Sequence, residues 1–427
     1  MRRLPASFLS RALSVKNRSG FWALADQAAV SLGSFLTNVI LARSLPPIEY
    51  GIFALICGVI YLLNNLHSAV VIVPLTTKGA CAEENEIKRM ATGALLLTVP
   101  LILPQAVVIC LAAWAAGRPG LIPWVIAALI FWQFQEIIRR TFMARLRHRE
   151  ATWGDIARYL GQALIVWIYA AGQGISIEKT FAVMAFASGA VGLLQTIQHG
   201  LKWTAPAEVR RLAGAFWRMG RWVLMTNSAG MFIFQAYPWI LAFFYTAAAS
   251  AEFQSVGNIL GVSNPIFIGI GSLIYPAVAK TSSELGNRAA TRVGFGYALQ
   301  GGMLLLPFYL ILMLKPQWAL QLFYGDDSPY LGLTGVLRLF VICYSIGYLS
   351  NFTVVILNSL QETKVAFFSQ LAGAITVIVV GAPLTAWGGV AGAAVSGALT
   401  AMAQLIVGGF YLRNAVNSEL HLKPVEN

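Results

Sequence analysis

Apolar runs long enough to cross a bilayer core, about 20 residues each, recur from residue 20 nearly to the C-terminus with short polar connections between them. Twelve spans are predicted, at about 20–43, 50–76, 91–115, 121–142, 156–173, 180–202, 222–246, 252–279, 294–315, 330–360, 365–385 and 389–412. The first is not a plain lipid-facing helix. Gln27, Ser31, Ser34 and Asn38 fall at i, i+4, i+7 and i+11, on one helical face, with Asp26 beside them. Hydrocarbon satisfies none of these groups, so the stripe is expected to face other helices or a wet cavity. A first helix of this kind suggests a transporter; a polar helix–helix interface is the plainer alternative.

Other spans carry polar faces too. In span 2, Tyr61, Asn64, Asn65 and Ser68 share a polar face near mid-membrane. His67 beside them is read as a packing residue ahead of a proton relay. In span 8, Gln254, Asn258 and Asn264, with Pro265, Gly269 and Gly271, predict a bent polar counterpart.

Composition agrees with an all-α polytopic membrane protein. Of 427 residues, 58% are hydrophobic and only 11% charged. The net charge of +13 is read as topology, not nucleic-acid binding, because it is distributed unevenly. With the N-terminus inside, 25 of the 30 Lys and Arg residues fall in inner segments. Four, Arg43, Arg118, Lys179 and Lys315, fall in outer ones, and Arg338 lies inside a span. Both termini are therefore expected to be cytoplasmic. No short apolar segment precedes the first span, so no cleaved signal is expected. Cys57, Cys81, Cys110 and Cys343 have no paired spacing, so neither disulfides nor a metal site are expected. There is no phosphate-binding glycine loop.

Landmarks repeat across the chain. Glu49-Tyr50 opens span 2 and Glu252-Phe253 opens span 8; Pro74 to Lys78 closes span 2 and Pro276 to Lys280 closes span 8. Two six-helix lobes of one orientation follow, related by an axis along the membrane normal. The expected division is a basic tail at 1–19, an N-terminal lobe at 20–204, a cytoplasmic linker at 205–221, a C-terminal lobe at 222–413 and a tail at 414–427.

Three stretches carry a family resemblance: Leu41 to Phe53, Leu322-Phe323-Tyr324-Gly325-Asp326, and Gly388 to Ala394. They resemble the junction of spans 1 and 2, the loop between spans 9 and 10, and the start of span 12 in the polysaccharide-transport branch of the multidrug/oligosaccharidyl-lipid/polysaccharide (MOP) exporter superfamily. The best-known members of that branch are the Wzx-type flippases. The resemblance implies two lobes around a central cavity that alternates between inward- and outward-open states. It implies an undecaprenyl-diphosphate-linked oligosaccharide as cargo, moved from the cytoplasmic to the outer leaflet of the bacterial inner membrane. The product would serve O-antigen, exopolysaccharide or capsule synthesis. No enzyme chemistry and no cofactor are implied; the coupling ion would be H+ or Na+. Implied partners are the lipid-linked substrate, membrane lipids, a polysaccharide polymerase and a chain-length regulator, and no nucleic acid.

An anionic diphosphate-sugar headgroup needs a wet path and cationic anchors. Arg338 is the sharpest candidate, and depth along the helices argues against its pairing directly with Asp26. Asp26 is the candidate ion-coupling site, with a structural acid as the alternative. Asn64 and Asn65 are candidate sugar ligands. Lys78 and Lys280 stand at repeat-related inner ends, where they would catch diphosphate or simply anchor the helices. Arg43 is a further candidate. Arg139 and Arg140 belong to the densest basic run, read as facing anionic headgroups or gathering substrate, with Glu136–Arg140 an ordinary i,i+4 pair. Trp124, Trp153 and Trp203 are read as interface anchors. A multidrug antiporter of the same superfamily is the alternative function. A membrane glycosyl polymerase or ligase is disfavoured, because the longest outer loop offers only Asp326 and Asp327.

Overall fold

The computed structural model describes residues 6–360 and 362–418, and these residues form no strand. In chain order the helices are α1 (Ala6–Ser44), α2 (Pro47–His67), α3 (Val73–Gly79), α4 (Glu84–Ala115), α5 (Ile122–Ala144), α6 (His148–Asp155), α7 (Gly161–Ala171) and α8 (Ile177–His199). They continue as α9 (Pro206–Phe244), α10 (Ala247–Gly261), α11 (Asn264–Leu285), α12 (Asn287–Leu314), α13 (Pro316–Tyr324), α14 (Thr334–Ser359), α15 (Thr363–Thr376) and α16 (Ala382–Ser418). Single π turns at Ser68–Ile72, Ile156–Leu160 and Val377–Gly381 join α2 to α3, α6 to α7 and α15 to α16.

Nine helical stretches among the described residues are long and apolar enough to cross a membrane. Predicted spans 5 and 7 have no counterpart among the nine, and the last two predicted spans share one stretch. Helix α6–α7 carries Asp155, Arg158 and Gln162 inside its apolar run. Helix α9 runs for 39 residues. The stretch Lys364–Arg413 holds the last two predicted spans end to end. Those two are separated at Gly389, whose φ of 56° and ψ of −139° lie outside helical space. Predicted span 8 is likewise two helices. Helix α10 stops at Gly261 and α11 resumes at Asn264, with Pro265 in its first turn, as the Asn264-Pro265 pair predicts.

The chain divides into two compact units. One holds the chain through Leu45 together with Ile56–Ser228; the other holds Pro46–Leu55 and the chain from Ala229 onward. Two expected segments differ. Helix α1 begins at Ala6, within the expected tail, because residues 6–19 contain no Gly or Pro and follow Pro5. Arg2, Arg3 and residues 419–427 lie outside the described residues. The expected linker at 205–221 is helical from Pro206 and continues into α9. Its Phe216, 1% exposed, completes an apolar core of the first unit with Val71, Leu75, Ile87, Met90 and Ile137. Burying a phenylalanine is worth about 1.5–3 kcal/mol, which fixes the segment to that unit.

Outer faces are apolar. Leu96, Val99, Leu103, Val107 and Leu111 of α4 are exposed at helical spacing, the pattern of a lipid-facing stripe. Trp124, Trp153 and Trp203 are exposed, as interface anchors require.

The Gly389 break yields a prediction. Backbone in this region costs an L-residue about 1–3 kcal/mol, so Gly389→Ala should lower the melting temperature of the purified protein. Gly388→Ala should not, since a Cβ there meets nothing within 4 Å.

Candidate functional site

Charge in the protein interior is confined to the first unit. Among the described residues the buried charged side chains are Asp26, Arg139, Asp155 and Arg158, and all four lie in that unit. They meet around Arg139. Its Nη2 donates to Asp26 Oδ2 at 2.6 Å, and its Nη1 to Glu136 Oε2 at 3.1 Å. Its Nε faces Asp155 Oδ2 in an ion pair. Three carboxylates, from α1, α5 and the end of α6, thus share one guanidinium. Glu136 also accepts from Arg140 Nε at 2.6 Å.

The cluster extends through amides. Gln135 Nε2 donates to Asp155 Oδ1 at 3.3 Å and to Gln195 Oε1 at 3.2 Å. Gln135 Oε1 accepts from Arg158 Nη1 at 2.7 Å. Helix α1 is pinned to α6 and α7 on both sides of the cluster. Thr152 Oγ1 donates to the Trp22 carbonyl at 2.9 Å, and Gln162 Nε2 to Thr37 Oγ1 at 3.4 Å.

Arg158 is held differently from Arg139. It is 1% exposed, yet no carboxylate pairs with it among the described residues. Its guanidinium lies 4.5 Å from the Trp132 ring centre and 4.6 Å from that of Tyr159, a cation–π sandwich. Its Nε has no hydrogen-bond partner. Trp132 packs edge-on against Tyr61, with ring centres 5.7 Å apart, and Tyr61 is exposed. One turn along α2, the half-buried Asn64 and Asn65 each leave an amide atom unpartnered, Nδ2 and Oδ1 respectively. Asp26 Oδ1 is also unpartnered. The π turn at Ile156–Leu160 carries Arg158 and sets its register relative to Asp155, a common feature of functional helices.

The predicted residues are thus distributed unevenly. Asp26, Arg139 and Arg140 are brought together, with Glu136 between the arginines. Arg139 is not a headgroup-facing cation: it is 8% exposed and surrounded by acids. The i,i+4 pair of Glu136 and Arg140 forms as predicted, but Glu136 also serves Arg139. Asn64 and Asn65 lie on the face expected of them. His67 is a packing residue: 3% exposed, its Nε2 lies 2.9 Å from Thr98 Oγ1. Arg43 is exposed near the end of α1, and Lys78 is exposed near the end of α3. Lys280 is exposed on α11, 3.9 Å from Glu284. Arg338 lies exposed on α14 with its Nε donating to the Met313 carbonyl at 3.0 Å. Sequence reasoning missed Asp155, Arg158 and Gln135. The signal was present in Asp155, Arg158 and Gln162, at i, i+3 and i+7 in an apolar span.

The second unit's interior is polar but neutral. Tyr237 Oη lies 2.8 Å from Ser396 Oγ and 3.1 Å from Thr400 Oγ1. Gln404 Nε2 donates to Gln370 Oε1 at 2.7 Å, and Gln254 links through Asn258 to Tyr50. The described cysteines are unpaired, and no group of three or more metal-binding side chains occurs among the described residues.

Neither a protein-family model nor a curated protein matches the sequence. Solved structures do match in fold. An inward-facing multidrug-resistance MATE family transporter of the MOP superfamily matches with a TM-score of 0.75 over 91% of this chain and 95% of its own, at 13% identity. The chain has a MOP-superfamily fold. The lipid II flippase MurJ matches with a TM-score of 0.74 over 92% of this chain and 87% of its own, at 12% identity. A MOP superfamily transporter from Pyrococcus furiosus, with a binding pocket described as reversed in polarity, matches with a TM-score of 0.65 at 11% identity, over 95% of this chain and 96% of its own.

The cluster makes a stability prediction. Removing one partner of a buried ion pair costs about 3–5 kcal/mol, because the other charge stays buried. Arg139→Gln should therefore lower abundance and melting temperature sharply. Adding Asp26→Asn should restore part of the loss, measured by thermal melts of single and double variants. Strictly additive losses would show that the two side chains are not coupled.

Proposed function

We propose that this protein is a flippase in the bacterial cytoplasmic membrane, moving an undecaprenyl-diphosphate-linked oligosaccharide from the cytoplasmic to the outer leaflet by alternating access. Both termini are cytoplasmic on this reading, and the product feeds cell-surface polysaccharide synthesis by a polymerase and a chain-length regulator. The observation that carries the proposal is Arg158. A guanidinium held by aromatic rings and a neutral amide keeps its positive charge available, whereas one held by carboxylates does not. Trp132 lies against it and Tyr61 against Trp132, with Asn64 and Asn65 one turn on from Tyr61 along α2. Rings that stack on sugars, amides that bond hydroxyls and a fork that grips phosphate oxygens are the chemistry a diphosphate-sugar headgroup requires. A carrier of organic cations gains nothing from an unneutralised buried arginine. The fold shared with a lipid II flippase supports the same reading.

Asp26 is the coupling group in this scheme. Its Oδ2 accepts from Arg139 and its Oδ1 has no hydrogen-bond donor, and the Asp155 carboxyl stands against it, so the two acids together form the place for the coupling ion. Loading or unloading that place changes the charge facing Arg139, and through it the hold on α1, α5 and α6.

The test is flipping of a fluorescent prenyl-diphosphate glycolipid in reconstituted vesicles. Arg158→Gln should reduce the rate at least tenfold, since one charge-assisted anchor of this kind is worth about 1.5–3 kcal/mol, while Arg158→Lys retains an intermediate rate. Asp26→Asn should insert normally, flip slowly and lose dependence on the ion gradient. Wild-type flipping by Arg158→Gln, or faster export of an organic cation than of the glycolipid, would overturn the proposal.

A further inference from the structure

The seam between α12 and α14 in the second unit carries two cavities in line. The first, about 430 Å³, is almost wholly apolar. Its sides are the exposed Leu299, Leu306 and Leu349; its floor is Gly302, Leu305 and Tyr348. Tyr348 Oη is tied to the Ala298 carbonyl at 2.5 Å, so the floor is fixed. Gly302 keeps the groove open, because a Cβ there would point at the Tyr348 ring, 3.6 Å away, with no other side chain in the space. The second cavity, about 390 Å³, lies where α12 ends and α14 begins, and is lined by Lys315, Gln317, Trp318, Gln321, Thr334 and Arg338.

These features complement each other. Neither cavity is lined by a carboxylate, and neither Lys315 nor Arg338 is ion-paired among the described residues. Bonding of Arg338 Nε to the Met313 carbonyl fixes the guanidinium and leaves its outer nitrogens facing the cavity. The exposed Trp318 beside them marks the level of the headgroups. On α12 the apolar lining runs from Phe295 to Tyr309, roughly 21 Å at 1.5 Å per residue. One leaflet of a bilayer core is about 15 Å deep, so the groove is long enough to hold one acyl chain of that depth.

We infer that this seam is a binding site for an anionic phospholipid, its phosphate held between Lys315 and Arg338 and one acyl chain laid in the Leu299–Leu349 groove. The site lies at the end of the bundle opposite the α11–α12 turn, which is the outer leaflet on the topology proposed above. Binding itself does not depend on that topology or on the transported cargo. Arg338 is on this account a lipid anchor on the flank of the second unit.

Native mass spectrometry of the full-length protein tests it, with phosphatidylglycerol, phosphatidylcholine of the same chains, and undecaprenyl diphosphate as probes. Phosphatidylglycerol should be retained and phosphatidylcholine lost. The double variant Lys315→Gln, Arg338→Gln should weaken phosphatidylglycerol binding about thirtyfold, the expectation for two headgroup cations. Gly302→Leu should weaken it as well with every charge in place, because the side chain fills the groove. Lys202→Gln, an exposed cation of the first unit, should change nothing. Equal retention of both phospholipids would overturn the proposal, as would wild-type phosphatidylglycerol binding by Gly302→Leu. So would undecaprenyl diphosphate displacing phosphatidylglycerol from the wild type and being lost in the same variants. If the double variant does not fold, Gly302→Leu decides alone.

Discussion

One guanidinium buried among three carboxylates determines how the first unit is assembled. Arg139 comes from α5 and its acids from α1, α5 and α6, so helices far apart in sequence converge on one point. Each charge there would be prohibitively costly in hydrocarbon by itself. Arg139 and Arg140 offset two of the three negative charges directly, and Arg158 is joined to the cluster only through the Gln135 amide. The amides of Gln135 and Gln195 carry the network on to α8, and α6 holds α1 through Thr152.

Against this stands the second unit, built from the same kind of helices without a buried charge among its described residues. Its buried polar side chains among the described residues are hydroxyls, which carry no formal charge. A repeat can preserve its backbone plan while its chemistry diverges, because the plan depends on apolar packing and on breakers such as Pro265 and Gly389. Side chains facing the polar interior are not bound by that plan. Among the described residues, buried charge therefore belongs to one unit.

Much of this was legible in the sequence. Most of the spans followed from long apolar runs, a bend in span 8 from Pro265, Gly269 and Gly271, where the structure has two separate helices, and the interior position of Asp26 from its polar stripe. The packing role of His67 was likewise the better reading. Other features were not legible. Helix α6–α7 begins with His148-Arg149-Glu150, so by sequence Arg158 counts among the inner-segment cations, although it lies nearly three turns into the helix. The π turn that sets its register leaves no signature in composition. Arg139 stood in a basic run with Arg140, Arg145, Arg147 and Arg149, where net charge suggested headgroups. Only the fold shows that its neighbours in space are acids contributed by other helices.

A buried ionic cluster is weak evidence of stability, because well-packed apolar residues of similar volume often do as well or better. The open valences are more telling. A network that served stability alone would satisfy its groups, since a buried donor or acceptor without a partner forfeits about 1–3 kcal/mol. Here Asp26 Oδ1, Arg158 Nε and one amide atom each of Asn64 and Asn65 remain without partners, and all lie in the first unit, on α1, α2 and the α6–α7 helix. The free carboxylate oxygen suits a cation or proton, while the free guanidinium nitrogen suits an anion. Two ligands of opposite charge can thus act on one cluster, where binding of either changes the field felt by the other. That is the electrostatic form of the linkage that exchange across a membrane requires.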